Sequence, residues 1–315
     1  MNLRSLQSAL ILQRVGSFSL AAKEARLTQS AMSQQIGKLE DEIGFLLFDR
    51  TRKPIAVTAK GKGFLDRAQH LVLEAEQLWD YAKSTGDRIS GEVRIGIIPT
   101  LAPYLCPLFI KDLRRTYPDI NLHIEEAKTA DIIQGMSDRH FNGGILATPI
   151  QTDLKLVITP LLYEQFFLFV SEGHSLANKP EVDLAEVDPN ECWLLEEGNC
   201  FNDQLLQICR WNVGSIGKGL EYHTDHIESL RRIVNLEGGT TFLPELATID
   251  IPSEQEERIK PITGEKRYRE ISMCHVRNEP TTRMLEAIGE LIKSNIPSQM
   301  LNAEGGHIID PGIHL

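Results

Sequence analysis

The spacing of apolar positions changes character near residue 90. Before it, apolar residues recur at three- and four-residue intervals; beyond it, short apolar runs suited to strands alternate with helical stretches. A first helix is predicted from about Leu3 to Val15, and Gly16 ends it. Ser17 or Ser19 can cap a second, 19-SLAAKEARL-27, whose adjacent Ala21 and Ala22 allow a neighbouring helix to approach closely. Thr28 can cap a third, over 28–44, with Ala31, Ile36, Leu39 and Ile43 directed to a core. Two short helices around a tight turn, the second polar along one face, make a helix-turn-helix pattern. The run 46-LLFDRTRKPIAVTAKG-61 reads as a β wing with Arg50, Arg52 and Lys53 at its tip. A long helix is expected from about Lys62 to Asp87. Its apolar stripe, Leu65, Ala68, Val72, Ala75, Leu78 and Tyr81, has no obvious cover in its own chain, and a polar hinge, 84-STGDRISG-91, follows.

Beyond Gly91 candidate strands are 92–99, 120–127, 144–148, 163–171, 192–196, 219–224, 240–244 and 271–276, with helices over 101–116, 129–139, 226–237 and 281–296. Such alternation predicts an α/β body of mainly parallel sheets covered by helices. Its length suits two lobes around a cleft. The expected division is a winged helix-turn-helix over 1–61, a linker helix and hinge over 62–90, and a two-lobed domain over 91–300. Lobe I takes about 91–162 and 267–300, lobe II about 163–266, and 301–315 form a poorly ordered tail. Ligands in such folds bind beyond strand ends near helix N-termini. Thr100, Thr129 and the pair Asn199 and Cys200 stand at such ends, where each polar group can also cap a helix.

Charge sharpens the division. The chain has a net charge of -11, yet residues 1–60 hold nine Lys and Arg against five Asp and Glu, leaving 24 against 39 in the rest. That asymmetry suggests a nucleic-acid-binding head on an acidic body. In the third helix Gln29, Ser30, Ser33, Gln34 and Lys38 face outward beside Thr28, and such amides, hydroxyls and amines read base edges or hold phosphates of double-stranded DNA. No leader peptide or long apolar run is recognisable, so a cytoplasmic location without membrane association is expected. Five cysteines, an odd number with no CxxC, fit reduced thiols. His223, His226, Cys274 and His275 lack metal-ligand spacing, so no metal or other cofactor is expected. Cys106, Cys192 and Cys274 read as small buried hydrophobes.

Cys200 and Cys209 differ from those three. They bound a run, 198-GNCFNDQLLQICRW-211, whose apolar positions 201, 205, 208 and 209 follow a helical stripe behind the N-cap Asn199. At about 1.5 Å rise per residue their Cα atoms lie roughly 13 Å apart, whereas a disulfide needs about 4.4–6.8 Å. Helix and disulfide exclude each other, which leaves two readings open: unrelated buried thiols, or a switch that oxidises only by unfolding its own helix.

The Ala-Ala pair, TQSAMSQQIGKLE, LFDR and VTAKG over residues 3–63 resemble the winged helix-turn-helix of LysR-type transcriptional regulators. The resemblance implies a dimeric DNA reader paired through its linker helix, a periplasmic-binding-protein-like regulatory domain, self-association as a dimer of dimers, and RNA polymerase as a partner. It implies a regulator, of activator type, and not an enzyme. The blocks 96-GIIPTLAPYLCP-107, 125-EEAKT-129, 145-ILAT-148 and 195-LEEGNCFNDQLLQIC-209 are similar to the group of that type that senses hydrogen peroxide. By that resemblance Cys200 and Cys209 form a redox pair, reset by a thiol reductant. Thr100, Thr129, Asn199, Asp203 and Arg269 then line the peroxide pocket. The two threonines orient the peroxide, Asp203 moves a proton through water, and Arg269 partners the thiolate. Asn199 stands where that group often has His. Competing readings are a regulator whose cleft takes a small metabolite, with incidental cysteines, and a cysteine peroxidase or solute-binding enzyme on the same body.

Overall fold

The computed structural model describes all residues except 84–88, 197, 212–221, 223, 278 and 314–315. Two compact units, Met1–Asp87 and Arg88–Leu315, divide the chain.

In the first unit, helices α1 (Leu3–Val15), α2 (Phe18–Glu24) and α3 (Gln29–Ile43) precede a two-residue-strand wing, β1 (Phe48–Asp49) antiparallel to β2 (Ala56–Val57), and the long helix α4 (Ala59–Lys83). Thr28 caps α3 by accepting the Ala31 N–H at 3.1 Å. Gly16 and Gly44 close α1 and α3 in left-handed conformations that favour glycine. Two expectations are corrected. Met32, with Ile36 and Leu39, fills the α3 core face, while Ala31 and Ile43 are only partly buried. The stripe of α4 is not bare along its first half, because Leu65, Ala68 and Val72 join the core formed with Leu6, Ala9 and Leu12 of α1. Leu71 and Leu78 of α4 are exposed. The side chain of Tyr81 lies outside the described residues.

The second unit runs β3 (Gly91–Ile97), α5 (Ala102–Thr116), β4 (Ile120–Glu126), α6 (Thr129–Ser137), β5 (Gly143–Thr148), β6 (Leu156–Val170), β7 (Cys192–Trp193), α7 (Cys200–Cys209), α8 (Ile227–Glu237), β8 (Thr240–Pro244), α9 (Ser253–Glu256), β9 (Ile259–Pro261), β10 (Lys266–Val276), α10 (Thr282–Asn295) and β11 (Gly306–Ile308). The sheet order is β4-β3-β5-β10-β6-β8-β7, with β9 on β6 and β11 on β10. β3 is parallel to β4 and β5, but β10 is antiparallel to both β5 and β6, so the sheet is mixed.

β6 and β10 start earlier than their apolar runs suggest, at Leu156 and Lys266, because Leu156–Gln165 of β6 pairs with Tyr268–Val276 of β10 while the rest of β6 goes on to pair with β8 in the other lobe. One core gathers β3, α5, α6, β5 and α10; the other gathers the end of β6 with β8, α8 and part of α7. The candidate strand 192–196 forms only over its first two residues, and 219–224 falls largely outside the described residues. The tail expectation is also corrected. Residues 306–308 pair in parallel with β10, Met300 and Pro311 are buried, and the Gln151 N–H reaches the Ile313 carbonyl at 3.0 Å. Polar and glycine-rich composition did not prevent docking, since backbone hydrogen bonds to a strand edge need no particular side chains.

Candidate functional site

Helix α7 is built where the sequence placed it. Gly198 turns the chain at φ +81°, and Asn199 Oδ1 accepts the Phe201 N–H at 3.1 Å, so the helix begins at Cys200 and carries Cys209 at its last position. Both are free thiols. The helix lies across the junction of the lobes: Cys200 is buried in the first core, Phe201 and Leu205 in the second, and Ile208, Cys209 and Trp211 pack on the second. The two thiols thus occupy different hydrophobic cores as well as opposite helix ends.

Around Cys200 a buried cluster forms. Arg269 of β10 is fully buried; its Nη2 donates to Thr100 Oγ1 at 2.8 Å and lies 3.7 Å from Cys200 Sγ. Its Nη1 reaches Glu164 Oε1 of β6 at 3.1 Å, and the guanidinium stands 5.2 Å from the Phe201 ring centre. Glu164 is also fully buried and accepts the Leu246 N–H at 3.3 Å. Burial pushes its carboxyl up to about 7, against the opposing pull of Arg269. Arg269 and Glu164 neutralise each other inside the protein, as buried charges require. Cys209, partly buried at the far end of the helix, has its thiol pushed up to about 12 by desolvation, against the weaker opposing pull of Arg267.

The other pocket candidates divide. Thr100 spends its hydroxyl on Arg269 and does not cap α5, whose N-cap is Leu101; Thr129 is the first residue of α6, behind Lys128, and does not cap it either. Both threonines are buried. Asp203 is half-buried one turn into α7. Lys128 Nζ reaches Glu196 at 3.3 Å and Asp225 at 3.4 Å, bridging the lobes beside Asn199, whose Nδ2 lies 3.5 Å from Asp225. Sequence reading missed Glu164, Lys128 and Gln204. For Glu164 a signal existed, since it shares a strand face with Phe166 and Leu168 inside an apolar run, where a carboxylate needs a buried partner. Among the described residues no cluster of metal-ligating side chains occurs.

In the first unit Thr28, Gln29, Ser30, Gln34 and Lys38 are exposed and Ser33 partly so, along the N-terminal two turns and outer face of α3. At the wing Arg52 and Lys53 are exposed, Arg52 lying 3.3 Å from Asp49. Arg50 has an internal partner: its Nη2 meets the buried Glu40 at 2.6 Å, and Glu40 also accepts the Leu47 and Phe48 N–H groups. That bond ties the wing to α3.

Comparison with known proteins places these features. Residues 3–62 match the bacterial regulatory helix-turn-helix protein family of lysR type, and residues 86–297 match the LysR substrate binding domain. A hydrogen peroxide-inducible genes activator of Haemophilus influenzae is 28% identical over 95% of this chain and 98% of its own length. A protein of the same name from Dickeya chrysanthemi is 30% identical over 81% and 82%. The structure of a full-length OxyR variant from Pseudomonas aeruginosa superposes with a TM-score of 0.75 at 25% identity, covering 96% of this chain and 98% of that one.

Proposed function

This chain belongs to the LysR family of helix-turn-helix regulators, and from that premise we propose that it is a DNA-binding transcription regulator switched by hydrogen peroxide through a reversible Cys200–Cys209 disulfide. The observation that carries the reading is the placement of Cys200 Sγ at the start of α7, 3.7 Å from a buried guanidinium that also holds Thr100. Peroxide reacts with the thiolate form of a cysteine, which at this position faces a cation and the positive end of a helix dipole. The thiolate attacks one peroxide oxygen, the O–O bond breaks, and hydroxide leaves to take a proton and become water. The product is a sulfenic acid on Cys200. Condensation with the Cys209 thiol forms the S–S bond and releases a second water. Reduction by a dithiol returns both thiols.

The neighbours of the pair support Cys200 as the sulfur that peroxide meets, because Cys200 has the Arg269 guanidinium at 3.7 Å while desolvation keeps Cys209 a neutral thiol, a poor nucleophile. Glu164 bears on the competing metabolite reading. When ionised, its carboxylate offsets the Arg269 charge within the same buried space, which suits an uncharged peroxide better than an anionic metabolite. Because the thiols stand at opposite ends of a helix and in different cores, the disulfide demands refolding of roughly residues 198–212. The change then passes to the DNA-binding units through subunit contacts. Exposed Leu71 and Leu78 on α4 support self-association through that helix, and a dimer of dimers is the arrangement we favour. RNA polymerase and a cellular thiol reductant complete the set of partners.

Thiol mapping by mass spectrometry before and after one equivalent of hydrogen peroxide tests the proposal. A peptide joining Cys200 to Cys209 is expected. Persistent free thiols at both positions, with an unchanged transcriptional response when both are replaced by Ser, would move the site to metabolite sensing.

A further inference from the structure

The strap formed by residues 306–313 runs from the edge of β10 onto the thiol-bearing helix. β11 pairs with Lys266–Tyr268, next to Arg269, and the Ile309 N–H continues the ladder to the Tyr268 carbonyl at 2.8 Å. Ile309 packs on the second core and Ile313 on the first, so the strap spans both cores as α7 does. Between them Gln204, in the middle of α7 and fully buried, donates its Nε2 hydrogen to the Ile309 carbonyl at 2.7 Å. The amide oxygen of Gln204 has no hydrogen-bond partner among the described residues, so the strap supplies the bond that compensates this amide for leaving water. The neighbouring peptide planes are tightly fitted: a Cβ on Gly306 would meet the Lys266 carbonyl at 2.4 Å.

Gln204 lies between the two sulfurs in sequence. Bringing Cα 200 and Cα 209 from a helical separation of roughly 13 Å to about 4.4–6.8 Å requires the residues between them to leave helical geometry. The Gln204 side chain then cannot keep its place on the Ile309 carbonyl. On the reading that Cys200 and Cys209 are a redox pair, we infer that Gln204 is a positioning residue that ties the thiol helix to the strap, so that strap attachment sets how readily the disulfide forms. Oxidation and strap release are linked: whatever free energy the attachment contributes favours the dithiol, and forming the disulfide weakens the attachment by the same factor. The chemistry is ordinary exchange. The Cys200–Cys209 dithiol passes two electrons to glutathione disulfide, two glutathione thiols are released, and one intramolecular S–S bond replaces the intermolecular one.

The test uses the full chain equilibrated in glutathione buffers of varied ratio, with the linked peptide quantified by mass spectrometry. Gln204→Met keeps the length and burial of the side chain but donates no hydrogen bond. It is expected to raise the equilibrium constant for disulfide formation about two- to tenfold, the range of a net intramolecular hydrogen bond. The same substitution in a chain stopped after Gly305 is expected to change little, because the acceptor has already gone; a general loss of helix stability would act equally in both backgrounds. Ile309→Asp, which cannot keep its side chain on the second core, serves in place of the shortened chain if that does not fold. In the unsubstituted protein the Ile309 amide should exchange slowly in the dithiol state and faster once the disulfide has formed. An unchanged constant for Gln204→Met, an undiminished effect without the strap, or equal Ile309 protection in both states would each overturn the inference. If the unsubstituted chain forms no linked peptide, the redox-pair reading falls and takes this one with it. A linked peptide with variants indistinguishable from the parent removes the strap's role alone.

Discussion

Replacing Phe201 by Leu tests whether the ring beside the Cys200 thiol must leave its pocket when a disulfide to Cys209 forms. In the dithiol state the ring is 1% exposed, stacked on Phe166 with centroids 5.4 Å apart and planes at 28°, and lies 5.2 Å from the Arg269 guanidinium. Leucine retains most of the apolar burial but neither aromatic interaction. The ring pair contributes about 0.5–1.5 kcal/mol beyond burial. The desolvated cation–π contact adds about 0.5–2 kcal/mol. The dithiol state should therefore lose about 1–3.5 kcal/mol. If the disulfide state has no such pocket, the whole loss appears in the redox equilibrium. It makes reduction harder and moves the midpoint roughly 20–75 mV to more negative potential. Glutathione titration gives the midpoint, and denaturant unfolding of the reduced protein measures the loss independently. A reduced protein destabilised by the expected amount, but with an unmoved midpoint, would mean that Phe201 keeps its pocket in both states. Refolding of α7 from its first turn would then be wrong.

Other expectations follow from the same geometry. Cys200→Ser should abolish the peroxide response, whereas Cys209→Ser should still consume peroxide and accumulate sulfenic or higher oxidised forms at Cys200, detectable by trapping and intact mass. Glu164 titrates near 7 when folded but near 4.5 as a free side chain, so the folded state holds an extra proton between those values. Stability from this group should fall as pH rises through that window and level above it; denaturant midpoints for Glu164→Gln should lack that slope. Arg52→Ala should weaken specific and nonspecific DNA binding alike and reduce the salt slope by about one, and a changed sequence preference at constant slope would contradict a phosphate role. Arg50→Ala should instead destabilise the first unit, because it leaves the buried Glu40 carboxylate without its cation, and thermal unfolding would show it.

Much of this molecule is a property of short windows of sequence. The helix boundaries at Gly16 and Gly44, the Thr28 and Asn199 caps, and the ten-residue helix between the two cysteines are fixed by capping chemistry and a 3.6-residue period acting within one element. The same local rules made a disulfide within an intact α7 impossible before any tertiary contact was known. Interactions between distant positions were not legible in this way. Arg269 meets Cys200 across 69 residues and Glu164 across 105, and Gln204 meets Ile309 across 105. The apolar face that Glu164 shares calls for a buried partner, but only the sheet order that sets β6 beside β10 shows that the partner is Arg269. A polar segment such as 301–315 looks like a loose end until an open strand edge receives its backbone. Which face of α4 is covered likewise depended on where α1 came to rest. Local patterning set most of the helices and the incompatibility of helix with disulfide, but not the extents of β6, β7 and β10 or the existence of β11. The tertiary structure decided which charges neutralise each other and what holds the thiol helix in place, because burial and partner choice are set by packing between segments and not by the period within one.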